Sequence, residues 1–271
     1  MERETVVKAI QNIILEIKEK SVIQNTAIRD NIFSILENVC TVIYYPLEEE
    51  KNRGFHIKKF VKNKLEDFVY INTAKPIAEQ IFAAAHEFGH ICEVAEKVRN
   101  VLGYEAKLTE EEEEDITDWF AAELLMPTEA FRNVFLAHMN ELGIKSGKVK
   151  LDDLVQVIVL QMNDFMVPYE SVRRRLAETK IIQQKEADYL LSIEGEVLNL
   201  VAIFTKDRNT YLGNGTGVKT VSGIRTLIEN AEGQENVDPY LLNKIKKEFD
   251  IENMPIAEED FELHIGDTVD D

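Results

Sequence analysis

Cysteine is scarce in this 271-residue sequence, which contains only Cys40 and Cys92. Small secreted proteins that depend on disulfides carry more cysteines at regular spacing, so the sequence excludes that class. Two thiols without a pairing pattern are typical of a protein kept in a reducing compartment. We therefore expect a cytoplasmic protein that is held together by an apolar core.

Long uninterrupted apolar runs are also missing. In the first twenty residues the apolar positions Val6, Ile10, Ile14 and Ile17 share one helical stripe and are interleaved with polar and charged residues, which predicts an amphipathic helix. A secretory signal or a membrane span needs a continuous apolar segment instead. The sequence therefore predicts neither an export signal nor a membrane partner.

Positive charge is the third scarce feature. The chain has 31 lysines and arginines against 50 aspartates and glutamates, and a formal net charge of −19. Binding nucleic-acid phosphates requires clustered basic residues, so we expect no direct binding to nucleic acid. An acidic surface favours a basic protein partner, and DNA-binding repressors are one class of such proteins.

The order of patterns along the chain predicts an α+β protein with two regions. Residues 1–188 combine N-terminal helices and a small sheet with helices over 76–98, 111–126, 128–142, 150–163 and 168–190. The sheet is predicted from the segments CTVIYYPL, GFHIKKF and DFVYINT. Residues 189–271 form a smaller α+β region, in which EVLNLVAIFTKDRNTYLGNGTG predicts strands, followed by helices over 220–232 and 238–250 and an acidic tail.

The segment HEFGH at residues 86–90 carries the strongest chemical signal. On a helix, His86 and His90 lie one turn apart on the same face and can bind a single metal ion. Glu87 is turned out of direct ligation but stays close enough to act on a water as a general base. Gly89 interrupts strong helix formers, which predicts that another segment passes close by. The pattern predicts a zinc hydrolase with one Zn²⁺ per chain.

A catalytic zinc needs a third protein ligand, and the acidic run at residues 110–115 offers several. If residues 111–126 form one helix, Glu113 falls on its apolar stripe. Glu114 instead shares a stripe with Asp118 and with small residues that allow a close approach to the HEFGH helix. We therefore expect Glu114 to be the third ligand and Asp118 to accept the free ring N–H of a ligand histidine.

Two segments together make the sequence resemble a known family. AAAHEFGHIC and EDITDWFAAELLMP, the latter at residues 114–127, resemble the ImmA/IrrE metallopeptidases of bacteria. The zinc-binding glutamate of that family falls on Glu114, and its Asn or Asp position falls on Asp118, in agreement with the helical phase. Thr117 stands where the family usually has alanine. The resemblance covers about residues 30–185.

The resemblance implies a zincin-like metallopeptidase domain in residues 1–188, in which His86, His90 and Glu114 hold zinc and Glu87 is the general base. ImmA/IrrE proteins typically cleave or otherwise inactivate helix-turn-helix repressors of mobile elements or stress regulons. The expected partner is thus a basic repressor. The alternative is a regulator that binds a repressor or antitoxin through the zinc domain with little turnover. The intact Glu87 favours the enzyme, because a binding module does not need the base.

Other features carry weaker predictions. The run FVYIN at residues 68–72 is a candidate edge strand for an extended substrate. The run GNGTGVKT at residues 213–220 lacks the glycine that a phosphate loop places directly before its lysine, which favours a turn between strands. Binding to DNA through residues 165–182 is disfavoured by the net charge. His56 and His138 lack metal-like spacing; either could approach the site in three dimensions, for example as an oxyanion donor, but the sequence gives no warrant for that role.

Overall fold

A computed structural model of the chain describes residues 2–20, 27–48, 51–61, 63–145, 147, 149–206, 210–232, 234 and 237–251. The helices in these ranges are α1 Arg3–Lys20, α2 Asn31–Glu37, α3 Ile77–Ile91, α4 Val94–Val101, α5 Glu110–Leu125, α6 Thr128–Glu141, α7 Leu151–Phe165, α8 Tyr169–Glu178, α9 Gln184–Ser192, α10 Glu194–Thr205, α11 Ile224–Glu232 and α12 Pro239–Glu248. The strands are β1 Thr41–Tyr45, β2 Gly54–Val61, β3 Lys64–Asn72 and β4 Thr220–Val221. The predicted α+β class is confirmed.

The strands form a single sheet in the order β2-β3-β1-β4 within the described residues. β2 and β3 are an antiparallel hairpin, β3 and β1 run parallel, and β4 joins β1 in the antiparallel direction. β3 is therefore hydrogen-bonded on both sides, and β2 lies at an edge. The prediction that FVYIN in β3 is a free edge for a substrate is wrong, because β1 and β2 already occupy both of its edges.

One face of the sheet packs against α3, the helix that carries HEFGH, and α3 in turn packs against α5. α1 covers α5 and α4 on the outside of this pair. The contacts are apolar: Ile71 of the sheet, Ile81 of α3 and Phe120 of α5 have no exposed surface. Burying a side chain of this size stabilises the fold by about 1.5–3 kcal/mol. This packing holds α3 between the sheet and α5.

A segment far along the chain closes the start of α3; we call residues 213–222 the closing segment. The carbonyl of Asn214 accepts a 2.9 Å hydrogen bond from the backbone N–H of Ile77, and Gly217 donates one of 2.9 Å to Thr73. A Cβ atom at Gly215 would lie 2.6 Å from the carbonyl oxygen of Ala74, so only glycine permits this approach. GNGTGVKT therefore packs on the β3–α3 connection and leads into β4, and it does not form a turn between two strands.

Three predicted elements differ from the structure. The helix predicted over 76–98 is interrupted between α3 and α4, where Glu93 adopts a left-handed conformation with φ of 52°. The helix predicted over 168–190 is likewise divided into α8 and α9, with Lys180 at φ of 59° between them. The strands predicted from residue 196 are wrong, because this stretch forms α10, which packs against α7 and buries Val197 and Val201.

By contact, the chain separates into two compact units, Met1–Ser222 and Gly223–Asp271. The first unit contains the sheet, α1 to α10 and the closing segment. In the second unit α11 packs against α12. The predicted domain boundary between residues 188 and 189 stays a prediction. The acidic tail lies outside the described residues.

Two further features concern the expected surroundings of the protein. Cys40 and Cys92 are both free thiols, and burial raises the pKa of Cys92 to about 11. Spanning a bilayer requires a helix that is both long and apolar, and none of the described helices meets both requirements.

Candidate metal centre

α3 presents both histidines of HEFGH on one face. The helix follows Pro76, whose fixed φ suits a helix start, and alanines at residues 83–85 let it lie close to the sheet. His86 Nε2 and His90 Nε2 are 3.1 Å apart, and their ring centroids are separated by 4.8 Å. Two nitrogens directed at one point are an arrangement that a shared metal ion explains.

α5 brings a carboxylate to the same point. The helix begins with a capping box, in which Thr109 and Glu112 satisfy each other's backbone N–H groups. Glu114 lies one turn beyond the first residue of this helix. Its Oε2 is 3.1 Å from His86 Nε2, and its Oε1 is 3.4 Å from His90 Nε2. The Glu114 side chain is 53% exposed. It is therefore open to solvent as well as to the two histidines.

The close approach of α5 depends on Gly89. A Cβ atom built at this glycine would stand 2.8 Å from Thr117 Cγ2 and 2.9 Å from Phe120 Cδ1. Both distances are below ordinary van der Waals contact, so α5 could not lie where it does against a larger residue. The prediction that Gly89 marks a close approach by another segment is confirmed.

The three donor groups fit a zinc ion. Their ligand atoms all lie within 4.8 Å of one another, and the measured separations are 3.1, 3.1 and 3.4 Å. Two ligands about 2.0–2.1 Å from a tetrahedral zinc stand about 3.3 Å apart. No second group of three metal-ligating side chains converges in the part of the chain that the structure describes. His86, His90 and Glu114 are thus the residues that could hold the ion.

Asp118 lies one turn beyond Glu114 and contacts the other side of the His86 ring. Its Oδ1 is 2.9 Å from His86 Nδ1. Burial alone would lower the pKa of His86, but the hydrogen bond and charge of Asp118 and the charges of Glu87 and Glu114 outweigh it, so the pKa is raised. A proton held on Nδ1 by Asp118 leaves the Nε2 lone pair free to bind a metal.

His90 behaves differently from His86. Burial lowers its pKa, and the nearby His86 lowers it further, although Glu114 and Asp118 act in the opposite direction. A lowered pKa favours the neutral imidazole, which is the form that binds a metal.

Glu87 lies beside these ligands but is not part of the cluster. Its side chain is buried, and its Oε1 would lie 3.5 Å from a Cβ atom at Gly54 of β2. Burial raises its pKa to about 7; the charge of His86 opposes this rise, and the charge of Glu114 adds to it. A carboxyl group whose pKa is near neutrality can take a proton and return it in the same reaction cycle.

The structure adds a residue that the sequence did not indicate. A cleft of about 340 Å³ is lined on one side by β2 and on the other by the helices: Gly54, Phe55, His56, His86, Glu87, His90 and Glu114. His56 Nε2 is 2.6 Å from Asp67 Oδ1 on β3. His138, by contrast, pairs with Asp164 and does not line this cleft. The alternation of side chains along a strand puts Gly54 and His56 on one face of β2, but the hairpin register that brings this face to the cleft left no local signal in the sequence.

Comparison with known proteins identifies a family for the part of the chain that contains this cleft. The family model described as the IrrE N-terminal-like domain, in the peptidase family M78, matches residues 39–177, more than half of the chain. Comparison with curated proteins gives no match. The matched range contains β1 to β3, α3 and α5, and so every side chain of the cleft.

Proposed function

The chain belongs to the M78 peptidase family of IrrE N-terminal-like domains, and from that premise we propose that it is a zinc-dependent endopeptidase. The observation that supports this proposal most directly is the convergence of His86, His90 and Glu114 at separations suited to zinc, with the buried Glu87 beside them. Glu87 is the residue that separates an enzyme from a binding module, because holding a metal does not require it.

Each residue of the centre has a distinct part in the proposed reaction. Bound zinc supplies a Lewis acid that polarises the scissile carbonyl and makes water acidic enough to attack near neutral pH. Glu87 takes the proton of the attacking water and later delivers it to the leaving amine. Asp118 holds the proton on Nδ1 of His86 and so orients that ring.

The sheet supplies a place for an extended substrate. β2 is an edge strand, and it forms one wall of the cleft that contains Glu87. A peptide that adds to this edge would gain main-chain hydrogen bonds and cross the metal centre. A substrate peptide with N-methylated backbone nitrogens should then be cut more slowly when alternate positions are methylated. Equal cleavage at every methylated position would contradict this placement.

The proposed substrate is a basic helix-turn-helix repressor of a mobile element or a stress regulon. Two observations support it: membership of the IrrE-like family and a net charge of −19, which favours encounter with a basic protein. A repressor acts on DNA, so we place the reaction in the bacterial cytoplasm. The chain would then act as an anti-repressor by proteolysis.

The first test is metal content. Mass spectrometry should find one zinc per chain in purified wild type and strong loss of zinc in His86→Ala and Glu114→Ala. Glu111→Ala, on the exposed start of α5, is the control and should retain zinc. Retention of zinc in Glu114→Ala would move the third ligand to another acidic residue.

The second test separates catalysis from binding. Glu87→Gln should retain zinc, capture the substrate from a native bacterial lysate and cut it at least about 100-fold more slowly than wild type, in line with the usual contribution of a general base. Zinc-loaded wild type should cleave the captured protein at a defined bond. Capture without cleavage by wild type would favour the regulator that binds a repressor or antitoxin with little turnover.

A further inference from the structure

β2 turns one side chain that can donate hydrogen bonds toward the metal-binding helix. Gly54 faces α3, since a Cβ atom at this position would lie 3.5 Å from Ala83 Cβ and from Glu87 Oε1. Side chains two apart on a strand lie on the same face, so His56 faces α3 as well. On this face of β2 the cleft wall is therefore formed by a glycine and an imidazole, while the ring of Phe55, which lies between them in sequence, stacks on Tyr70.

Asp67 fixes the orientation of that imidazole. The two residues stand diagonally across the β2–β3 hairpin, where His56 pairs with Val69 and Asp67 pairs with Lys58. The His56 Nε2 to Asp67 Oδ1 distance of 2.6 Å is at the short, charge-assisted end of hydrogen bonds. The His56 side chain is only 12% exposed. Its other ring nitrogen, Nδ1, has no hydrogen-bond partner among the residues that the structure describes.

We propose that His56 is a catalytic residue: as an imidazolium cation it donates one hydrogen bond from Nε2 to Asp67 and one from Nδ1 to the oxyanion that forms on the scissile carbonyl, and Asp67 is its positioning residue. The proposal rests on the peptidase function proposed above. The group that His56 would contact is a peptide carbonyl whose carbon becomes tetrahedral and whose oxygen becomes negatively charged. The ring lies on the wall opposite His86 and His90, so a carbonyl between the walls would be reached from both sides.

Attack of water and departure of the amine conserve atoms and charge. The oxygen of the attacking water bonds to the carbonyl carbon, its proton passes to Glu87, and the π electron pair moves to the carbonyl oxygen, which accepts the hydrogen bond from His56. The C–N bond then breaks, the electron pair on oxygen re-forms the C=O bond, and the leaving nitrogen takes the proton from Glu87. The products are a carboxyl group and an amine.

The charges around His56 suit a donor of this kind. Asp67 faces it from β3, while Lys58, on the same face of β2, is engaged with Glu93 at 3.0 Å. Glu87, His86 and His90 face it from α3, and Glu114 from α5. A donor aimed at an oxyanion in a protected site contributes about 100- to 1,000-fold to the rate.

The test compares ligands that do and do not imitate the oxyanion. The zinc-loaded protein is titrated with N-phosphoryl-leucyl-tryptophan, a tetrahedral anionic probe, and with acetohydroxamate, a planar metal chelator. His56→Ala should bind the phosphoryl peptide about 100-fold more weakly than wild type, in line with the loss of one oxyanion donor. Its affinity for acetohydroxamate and its zinc content should not change. His56→Gln, which keeps an amide donor, should recover part of the loss, and Asp67→Asn should show a smaller loss.

His138→Ala is the matched control. His138 Nε2 also lies 2.6 Å from a carboxylate oxygen, on Asp164, but away from the cleft. This variant should bind both probes as wild type does. Equal binding of the phosphoryl peptide by wild type and His56→Ala would overturn the proposal, as would loss of zinc together with both affinities. If neither wild type nor His138→Ala cuts the protein captured by Glu87→Gln, the peptidase proposal fails. The affinities of wild type and His56→Ala for the phosphoryl peptide still decide whether His56 binds a tetrahedral anion.

Discussion

Two glutamates on α5 have opposite surroundings. Glu114 is 53% exposed and meets only the two histidines, whereas the side chain of Glu123 is 6% exposed and saturated with hydrogen bonds. Gln11 and the backbone and hydroxyl of Thr128 donate to Glu123 at 3.1, 3.0 and 2.8 Å, and Arg175 forms a buried ion pair with it. A carboxylate with unused acceptor capacity is available to a metal, while a saturated one holds the fold together.

Glu123 joins the end of α5 to its neighbours. Arg175 of α8 also donates to the carbonyl of Met126, at 2.9 Å from Nε and 2.7 Å from Nη2. The network thus satisfies backbone groups at the turn between α5 and α6. The run FAAELLMP at residues 120–127 has a physical role at this turn, because Glu123 anchors the helix whose other end presents Glu114.

The largest effect should follow removal of the saturated carboxylate. Glu123→Ala removes the buried carboxylate that pairs with Arg175 and leaves that guanidinium only the 3.3 Å contact with Glu178, which costs up to about 3–5 kcal/mol in the free energy of unfolding. Urea unfolding of the metal-free protein measures this value. Glu111→Ala, exposed near the start of the same helix, should change it by no more than about 0.5 kcal/mol. Similar values for the two variants would remove the distinction between the two ends of α5.

Removing the unsaturated carboxylate should have the reverse pattern. Glu114→Ala should weaken zinc binding by more than about 100-fold, because even partners that only orient a ligand are worth about 10- to 100-fold. Its unfolding free energy without zinc should stay within about 0.5 kcal/mol of wild type, as expected for an exposed side chain. Competition with a chromophoric chelator measures the affinity. A metal-free protein strongly destabilised by this change would count against the comparison.

A smaller effect is expected at Asp118, which touches a ligand but not the metal position. Asp118→Ala should weaken zinc binding by about 10- to 100-fold, since His86 loses the acceptor that fixes its ring. Asp115→Ala, an exposed neighbour on the same helix, is the control and should bind zinc as wild type does. The same chelator competition applies, and identical affinities for the two variants would show that Asp118 does not support the site.

The smallest expected effect is the loss of stability at low pH. Burial raises the pKa of Glu123, but Arg175 and the hydrogen bonds from Thr128 outweigh it, so the pKa lies below the ordinary value of 4.5. A depressed folded-state pKa stabilises the fold above the unfolded value, and this contribution is lost as pH falls through the folded value. The gap in unfolding free energy between wild type and Glu123→Ala should therefore be constant above pH 4.5 and narrow below it. Urea titrations from pH 6 to pH 3 measure this difference in unfolding free energy. A difference that grows as the pH falls would contradict a lowered pKa for Glu123.

Local patterns in the sequence were sufficient to predict which groups of the candidate metal centre lie together. The four-residue spacing of the histidines, the helical phase of Glu114 and the glycine at position 89 each depend on positions within one or two helical turns. The structure places these groups together, although their roles as ligands stay predictions. The α+β class followed equally from local periodicity, because strands and helices differ in the spacing of their apolar residues.

What the sequence missed depends on pairing or on single backbone angles. The breaks at Glu93 and Lys180 are left-handed residues without glycine or proline to signal them. α10 was mistaken for strands because its β-branched residues Val197, Val201 and Ile203 occur in strands as well as in helices, and burial against α7 decides between the two structures. The register that places His56 beside the centre, and the pairing that makes β2 the edge, join positions whose partners no local pattern identifies.

The closing segment also bears on the timing of synthesis. Thr73 and Val218, which it joins through a 2.8 Å hydrogen bond, are 145 residues apart along the chain. A nascent chain that has left the ribosome only to residue 177 already contains all the groups of the metal centre, yet the first turn of α3 still lacks its contact with Asn214. Domains are synthesised at about 5–20 residues per second, so a few seconds separate these two stages. Translation itself thus imposes a delay between having the ligands and having a finished centre.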